Sequence, residues 1–262
     1  MNHDIFYFSG SGNSLYISRA LDAAVPGRIR AIGALDLSKS VSSDADMVGL
    51  VFPVYFMDCP DIVAAFIDRL EVKPDAYVYC IASCGAMAGN TLANTARRLS
   101  KRGIPTAAQF LIFLPDNSIA FPTPDEKIAP MLESGKRAVA DAVTAIREKR
   151  ISKPFRRSIA AAFLTAISKP VIIRCGGFGI FELDAAKCTK CGICEKICPV
   201  QNITRPEGTP TFGTRCASCL ACIHWCPSQA ITMPKQKRRS GFQYTNPEIS
   251  CTDLIIANGN RP

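Results

Sequence analysis

The sequence predicts an α/β fold in which a doubly wound sheet of five parallel strands is followed by a small α+β domain rich in cysteine. Short apolar runs alternate with segments of helical periodicity through residues 1–150, as in parallel sheets covered on both faces. Eight of the 13 cysteines lie in two copies of one spacing between Cys188 and Cys226. The chain is 48% hydrophobic, which provides for a sizeable core and argues against disorder.

The strands and helices of the first part follow from local patterns. Ile17, Ala20, Leu21 and Ala24 are spaced as one face of a helix, and three later stripes repeat that spacing. The predicted strands are Ile5 to Phe8, Arg28 to Ile32, Met47 to Phe52, Tyr77 to Ala82 and Phe110 to Leu114. The further helices contain Val63 to Leu70, Leu92 to Leu99 and Val139 to Ile146.

We divide the chain into a first domain (residues 1–150), a linker (151–183), a cysteine-rich domain (184–234) and a C-terminal tail (235–262). Within the linker, Ile159 to Ile167 is apolar and flanked by basic residues. A packed linker helix is the favoured interpretation, and a helix on a membrane surface is the alternative. The glycines of residues 175–179 should end any such helix.

The charge of +9 is unevenly distributed. Residues 1–150 hold 16 basic and 16 acidic side chains, whereas residues 151–262 hold 15 and 6. This excess favours an acidic redox partner over nucleic acid, with peripheral membrane contact through residues 153–174 as a weaker alternative. The basic patches are Lys153, Arg156 and Arg157, and Lys235, Lys237, Arg238 and Arg239.

No apolar run reaches the length of a membrane span, and the N-terminus lacks the basic region of a signal peptide. We therefore expect a cytoplasmic protein, in which numerous cysteines indicate metal or redox chemistry rather than disulfides.

Each cysteine repeat has the spacing C-x2-C-x2-C-x3-C-P. This spacing holds a [4Fe–4S] cluster by its first three thiolates, and its fourth cysteine binds the other cluster. Zinc is the rival, but a zinc site has no use for the third cysteine or the repeated Cys-Pro. We predict two [4Fe–4S] clusters, the first held by Cys188, Cys191, Cys194 and Cys226, and the second by Cys216, Cys219, Cys222 and Cys198.

A turn rich in glycine and serine joins the first strand to the first helix. Helix N-termini bind phosphate through exposed N–H groups, and the serine hydroxyls and the Asn13 amide add donors. The turn has no lysine and ends in Leu15 rather than a third glycine, so it is neither a Walker A site nor a dinucleotide fingerprint. An ordinary tight turn remains an alternative. Its residues are Ser9, Gly10, Ser11, Gly12, Asn13 and Ser14.

Two more loops follow predicted strands at the same edge of the sheet, where doubly wound folds bind their ligands. The first, residues 52–60, contains Pro53, Val54, Tyr55, Phe56 and Pro60. The second, residues 83–90, contains Ser83, Cys84, Gly85 and Gly89.

The glycine-serine turn resembles the FMN-phosphate loop of flavodoxins, and residues 184–234 resemble the bacterial two-cluster ferredoxins. The whole chain resembles fusions of an FMN-binding flavodoxin domain to a two-cluster ferredoxin domain. The motifs that carry this likeness are residues 7–14, 52–56 and 114–117, the cysteine repeats, and Tyr244-Thr245-Asn246-Pro247.

This resemblance implies a flavodoxin-like sheet of order 2-1-3-4-5 that binds FMN. Tyr55 or Phe56 would stack on the flavin ring, and amides near Gly85 and Gly89 would bind its polar edge. Asp58 departs from the family pattern and would place a carboxylate near the ring. The third loop has no aromatic residue, so one flavin face would be open to a substrate or to the clusters.

The function that follows is electron transfer between the two clusters and FMN, with low-potential electrons exchanged with a partner oxidoreductase. One alternative is an FMN-dependent reductase of a small molecule, and another is a redox sensor. Direct use of nicotinamide is not expected. A reactive thiol beside the flavin, from Cys59 or Cys84, is a further hypothesis, with a small apolar filler as its alternative.

Overall fold

The computed structural model describes residues 2–235 and 242–261, and its centre is a sheet of five parallel strands. These strands are β1 (His3–Tyr7), β2 (Arg28–Ala31), β4 (Met47–Pro53), β6 (Tyr77–Cys84) and β7 (Ala108–Phe113). Their order is β2-β1-β4-β6-β7, which confirms the flavodoxin-like arrangement predicted from the sequence. A separate parallel pair, β3 (Val41–Ser43) and β5 (Leu70–Val72), lies outside this sheet.

Helices cover the central sheet. They are α1 (Asn13–Ala24), α2 (Asp61–Ile67), α3 (Thr91–Lys101) and α4 (Asp125–Arg147). Helix α1 packs beside α4, and α2 packs beside α3. Every residue of β1 and β6 is buried, as expected for central strands of a parallel sheet. The carboxyl ends of β1, β4, β6 and β7 therefore share one edge, where their following loops meet.

The linker forms one helix, α5 (Ile159–Gly176). Ser158 caps it by accepting a hydrogen bond from Ala161 N. The helix ends within the predicted break, because its last residue is Gly176 and Gly177 caps it with a left-handed φ of 70°. No helix in the described ranges is long and apolar enough to cross a bilayer.

The cysteine-rich half repeats one unit twice. Strand β8 (Glu182–Leu183) pairs with β11 (Ile231–Thr232), and β9 (Ile203–Thr204) pairs with β10 (Thr211–Phe212). Helices α6 (Ile193–Ile197) and α7 (Ala221–His224) occupy equivalent positions in the two repeats. Each Cys-Pro is followed by the same turn, in which Gln201 N donates to Cys198 O and Gln229 N donates to Cys226 O, both at 3.2 Å.

Part of the predicted tail is an integral element of the fold. Helix α8 (Cys251–Ala257) begins with a capping box between Ser250 and Asp253, and its Leu254 and Ile255 belong to the main hydrophobic core. The Tyr7 hydroxyl donates to Asn258 Oδ1 at 3.1 Å, and Asn258 Nδ2 donates to Ile197 O at 3.4 Å.

The main core includes residues of both predicted domains, among them Ile197 and Ala221 of the cysteine-rich half. The two halves therefore share buried apolar surface. The predicted basic residues Lys237, Arg238 and Arg239 lie outside the described residues.

Candidate functional site

The cysteines of the first predicted cluster set surround one cavity. Cys188, Cys191, Cys194 and Cys226 all line it, beside Arg205 and Ile231. Burial, together with the nearby sulfurs of Cys191, Cys226 and Cys188, raises the pKa of the Cys194 thiol to about 11. Four sulfurs from two separate segments thus come together in the pattern that the motif implies.

The cysteines of the second predicted cluster set are more buried than those of the first. Burial raises the pKa of Cys222, and the neighbouring sulfurs of Cys219, Cys216 and Cys198 add to the rise. Cys219 and Cys222 are buried, whereas Cys191 of the first set is exposed. The structure thus groups Cys198 with the second repeat and Cys226 with the first, in crosswise pairing.

Backbone N–H groups point at sulfurs in both sets. Asn202 N donates to Cys198 Sγ at 3.2 Å, and Ala230 N donates to Cys226 Sγ at 3.4 Å, at equivalent positions of the repeat. Such bonds stabilise thiolate ligands and tune cluster potentials, so this donor set fits iron–sulfur clusters. Across the described residues, no three candidate ligands converge as a single metal ion would require.

The turn between β1 and α1 is buried and tightly held. Gly12 caps α1 with a φ of 97°, and its N–H donates to Ser9 Oγ at 3.0 Å. Asn246 N donates to Ser11 O at 2.8 Å. The turn is therefore preorganised at the N-terminus of a helix, where the first N–H groups have no partner within the helix.

The Asn13 amide has a different role from the predicted one. Its Nδ2 donates to Pro115 O at 3.1 Å, and its Oδ1 accepts from Tyr244 Oη at 2.9 Å and Asn246 Nδ2 at 3.0 Å. These bonds tie together three segments of the chain around the turn. Asn13 therefore holds the turn in place, and the donors for a phosphate must come from the backbone and from serine.

A polar cavity lies at the carboxyl ends of β1, β4, β6 and β7, and the predicted loops converge on it. Ser14 and Tyr55 line this cavity, and their buried hydroxyl oxygens form no hydrogen bond within the described part of the chain. Two buried hydroxyls without partners at one cavity indicate a polar ligand. The predicted residues that line it are Ser9, Gly10, Ser11, Asn13, Ser14, Pro53, Val54, Tyr55, Ser83, Cys84 and Gly85.

A larger cavity, of about 950 Å³ of free space, adjoins the polar one and shares Tyr55, Cys84 and Asp116 with it. This space includes the mouth of the cavity, which opens to solvent. Polar groups line one end and apolar side chains the other, so the lining residues suit a ligand such as FMN, which has a polar phosphate and an aromatic ring. The apolar side chains that line the larger cavity include Phe56, Met57, Met87, Phe121, Ile172, Phe178 and Leu220.

Two predicted residues line neither cavity. Gly12 caps α1, and Gly89 lies against the neighbouring loop, where a Cβ would be 2.4 Å from Met57 O. Gly89 also has a φ of 55°, which favours glycine. Both glycines therefore support the conformation of the loops and do not line the cavities.

The loop after β4 forms a tight reversal beside the cavity. Tyr55 N donates to Asp58 O at 2.9 Å, and Asp58 N donates to Tyr55 O at 3.0 Å. Phe56 and Met57 between them both have positive φ, as in a type I′ turn. Burial raises the pKa of Tyr55, and the nearby Cys219, Asp116 and Cys216 add to the rise. Tyr55 therefore lies between the cavity and the second cluster set.

The carboxylate at the cavity is Asp116, which the sequence analysis left without a role, rather than Asp58. Asp58 Oδ1 accepts from Cys59 N at 2.9 Å and Asn94 Nδ2 at 3.3 Å. Asp116 lines both cavities, and burial raises its pKa. The position of Asp116 directly after the motif's Leu114-Pro115, at the carboxyl end of the last strand, was the signal that could have identified it.

The cysteine-rich half directly contacts the glycine-serine turn of residues 9–14. A Cβ at Gly10 would lie 2.2 Å from Cys219 O. Trp225 Nε1 donates to Gly10 O at 2.9 Å, and Asn117 Nδ2 donates to Cys219 O at 3.1 Å. Leu220, between the cysteines of the second set, lines the larger cavity. The loop of the second cluster set is thus one wall of the candidate flavin site.

His224 is a neutral side chain that packs beside the contact between the cysteine-rich half and the glycine-serine turn. Burial lowers its pKa to about 4. Its Nε2 lies 2.7 Å from Asn117 O, and its Nδ1 accepts from Tyr244 N at 3.2 Å. Both ring nitrogens are occupied, which leaves His224 a packing role.

Two thiols outside the repeats, Cys59 and Cys84, lie in the predicted flavin loops and are buried. Burial raises the pKa of Cys59 and of Cys84 to about 11. Cys84 lines the larger cavity but Cys59 does not. At neutral pH both are therefore thiols, which favours the apolar-filler alternative over a reactive thiolate. Cys80 is fully buried in the core.

Comparison with known proteins identifies the cysteine-rich half. The family model described as "4Fe-4S dicluster domain" matches residues 187–231. No curated protein matches the chain significantly. The sequence expectation of 4Fe–4S chemistry in this half is confirmed.

Several solved structures resemble the first half. An azoreductase from Bacillus anthracis is 12% identical, with a TM-score of 0.41 over 56% of this chain and 100% of its own. The two-electron reduced flavodoxin of Megasphaera elsdenii is 19% identical, with a TM-score of 0.35 over 53% of this chain and 98% of its own. Rubredoxin oxygen:oxidoreductase from Desulfovibrio gigas is 18% identical, with a TM-score of 0.36 over 55% and 37%.

The fold of the first half rests on its strand order rather than on these likenesses. With that order and the matched cluster domain, the chain joins a flavodoxin-like domain to a ferredoxin-type domain.

Proposed function

We propose that the protein passes electrons between two [4Fe–4S] clusters and one FMN, and exchanges low-potential electrons with a partner oxidoreductase. The observation that best supports this function is the contact between Gly10 of the phosphate turn and Cys219 of the second cluster set. A shared wall brings the two candidate cofactor sites next to each other, as electron transfer between them requires.

The two cluster sets differ in their exposure to solvent. This difference supports a path for electrons from the exposed first set through the second set to FMN. Cys191 of the first set is exposed, and Lys187 and Lys190 beside it are exposed as well. We propose that an acidic redox protein docks there. The second set, in which Cys219 is buried and packs against Gly10, would then link the first set to FMN. Oxygen-sensitive clusters of this kind suit a cytoplasm low in oxygen.

When bound, FMN supplies chemistry in steps of one or two electrons. The chain's own residues would position it. The Ser14 hydroxyl and the free N–H groups of α1 would hold the phosphate, and the Tyr55 ring would form the wall between the flavin ring and the second cluster. Asp116, the carboxylate at the cavity, would set the local charge beside the flavin, and burial raises its pKa.

A second candidate function is the direct reduction of a small molecule at the flavin. The larger cavity favours it, because its outer part is lined by apolar side chains such as Met87 and Phe121, which the resemblance to flavodoxins did not predict. A pre-reduced protein that is oxidised by small acceptors without a second enzyme would support this function. Failure across a broad acceptor panel would favour the carrier.

The main proposal is tested by removing each cluster separately. Anaerobically prepared protein should hold about eight irons per chain and one FMN, and Cys191→Ser or Cys219→Ser should each leave about four irons. With reduced acidic ferredoxin as the donor, Cys191→Ser should greatly slow the bleaching of the flavin, while dithionite still bleaches it. Zinc in place of iron, or ferredoxin-driven bleaching at the wild-type rate without the first cluster, would contradict the proposal.

A further inference from the structure

Helix α5 presents its apolar face outward. Ile159, Phe163, Ile167 and Val171 recur at four-residue intervals, and their exposed fractions are 87%, 70%, 54% and 55%. Leu164 widens the same stripe and is also exposed. A helix on a folded domain normally buries such a stripe, and exposed contiguous apolar patches mark interaction surfaces.

The opposite face of α5 is anchored to the flavodoxin-like domain by polar contacts. Ser158 N donates to Asn90 Oδ1, and Asn90 Nδ2 donates to Ser158 O, both at 2.8 Å. Lys169 Nζ lies 3.0 Å from Asp61 Oδ1. The helix is therefore held at its N-terminus and in its interior, and the exposed apolar stripe is directed away from the domain.

The sequence around this stripe is basic and lacks carboxylates. Between Glu148 and Glu182 there are seven Lys or Arg and no Asp or Glu. Lys153, Arg156 and Arg157 are exposed just before the helix. An apolar stripe next to exposed cations is the pattern of helices that lie in the interface of an anionic bilayer.

We propose that α5 and the basic segment before it dock the protein on an anionic membrane surface. Two features favour a bilayer over a protein groove: the apolar side chains project from a convex helix, and the adjoining cations complement lipid headgroups without any carboxylate. Because Lys169 of α5 pairs with Asp61 and Ser158 bonds to Asn90 on the flavodoxin-like domain, α5 would lie in the plane of the interface.

This surface continues to the rim of the larger cavity. Ile172 of α5 lines that cavity together with Met87 and Phe121, whose exposed fractions are 65% and 72%. Docking through α5 would therefore bring the cavity rim close to the bilayer. The proposal does not depend on the flavin chemistry, and it can hold or fail independently of it.

The test is co-sedimentation of anaerobically purified holoprotein with vesicles of phosphatidylcholine, with and without phosphatidylglycerol. We expect binding to the anionic vesicles and little to the neutral ones. Ile167→Glu should weaken binding about tenfold or more, because it places a charge in the apolar stripe that the bilayer would bury. The matched control is Ile256→Glu, which changes an equally exposed isoleucine (56%) on α8 and should bind like the wild type.

Further variants separate the possible partners. Phe163→Glu should reproduce the loss, and Arg156→Glu with Arg157→Glu should abolish the preference for anionic lipid. Unchanged iron and flavin content would show that these exposed substitutions leave the fold intact. Equal binding by Ile167→Glu and wild type, no binding to anionic vesicles, or a dimer that Phe163→Glu dissociates while vesicles are ignored would each overturn the proposal.

Discussion

Replacing Gly10 by alanine tests the contact between the flavin site and the second cluster set. The new Cβ would lie 2.2 Å from Cys219 O and 3.1 Å from Cys219 C, far inside van der Waals contact, and backbone lies on both sides of the clash. Gly10 does not have a positive φ, so the volume of the added methyl group is the only perturbation.

The size of the effect follows from that geometry. Overpacking of this kind costs about 1–3 kcal/mol. Separating the two backbones would also strain the bonds from Trp225 Nε1 to Gly10 O and from Asn117 Nδ2 to Cys219 O, each worth about 0.5–1.5 kcal/mol. We therefore expect a total of about 2–6 kcal/mol, which is large against a typical stability of about 5–15 kcal/mol.

The assay is anaerobic urea unfolding of the holoprotein, followed by circular dichroism, together with FMN titration and the rate of flavin bleaching through the clusters. We expect lower stability, weaker FMN binding and slower bleaching, with iron content unchanged. The control is Gly103→Ala, which meets no atom within 4 Å but has a φ of 75°; it should cost about 1–2 kcal/mol and leave FMN binding unchanged. Wild-type behaviour of Gly10→Ala in all three measurements would refute the contact.

Three further substitutions probe single groups at the site. Ser14→Ala removes a buried hydroxyl that forms no hydrogen bond within the described chain, so stability without FMN should change little, while FMN affinity, measured by fluorescence quenching, should fall roughly tenfold or more. Asp116→Asn removes a carboxyl whose folded-state pKa is raised by burial from 3.8. The wild type should therefore lose stability relative to the variant as pH rises from about 4 through the raised pKa, and a difference independent of pH would contradict this. Trp225→Phe should cost about 1 kcal/mol by urea unfolding through the lost bond to Gly10 O, and less in the Gly10→Ala background, where that bond is already strained.

The fold was predictable because its signals are local. Apolar runs such as that of β6 and the stripe of α1 are each contained in one short segment, and alternation of such segments indicates a parallel sheet. The cysteine spacing is also local, and it predicted the crosswise grouping of Cys198 and Cys226 because the motif itself specifies which sulfur crosses over. The end of α5 was predictable for the same reason, because the glycines of residues 175–179 include Gly177, which takes the left-handed conformation that ends the helix.

The contents of the site were less predictable because they depend on contacts between distant segments. Asn13 looked like a phosphate ligand, but Tyr244 and Asn246 occupy its side chain, and nothing near Asn13 in the sequence signals those partners. Asp58 was expected at the flavin ring. Its direction is set by the reversal at Phe56 and Met57, whose positive φ values are unusual for such side chains and leave no sequence signal.

The turn of residues 9–14 is held from two sides, and these contacts couple it to the second cluster set. On one side Asn246 N donates to Ser11 O, and on the other the loop of Cys219 packs against Gly10. Loss of the second cluster would loosen that loop, so we expect apo-cluster protein to bind FMN more weakly than loaded protein.

Because linkage is reciprocal, FMN must then strengthen retention of the second cluster by the same factor. The factor can be measured twice, by FMN titration with and without iron, and by equilibrium iron binding to a chelator-buffered sample with and without FMN. Equal factors above one would support a single coupled site. A factor of one in both measurements would show that the loop containing Cys219 does not hold the turn. Electron transfer between the two cofactors would then have to be explained by their proximity alone.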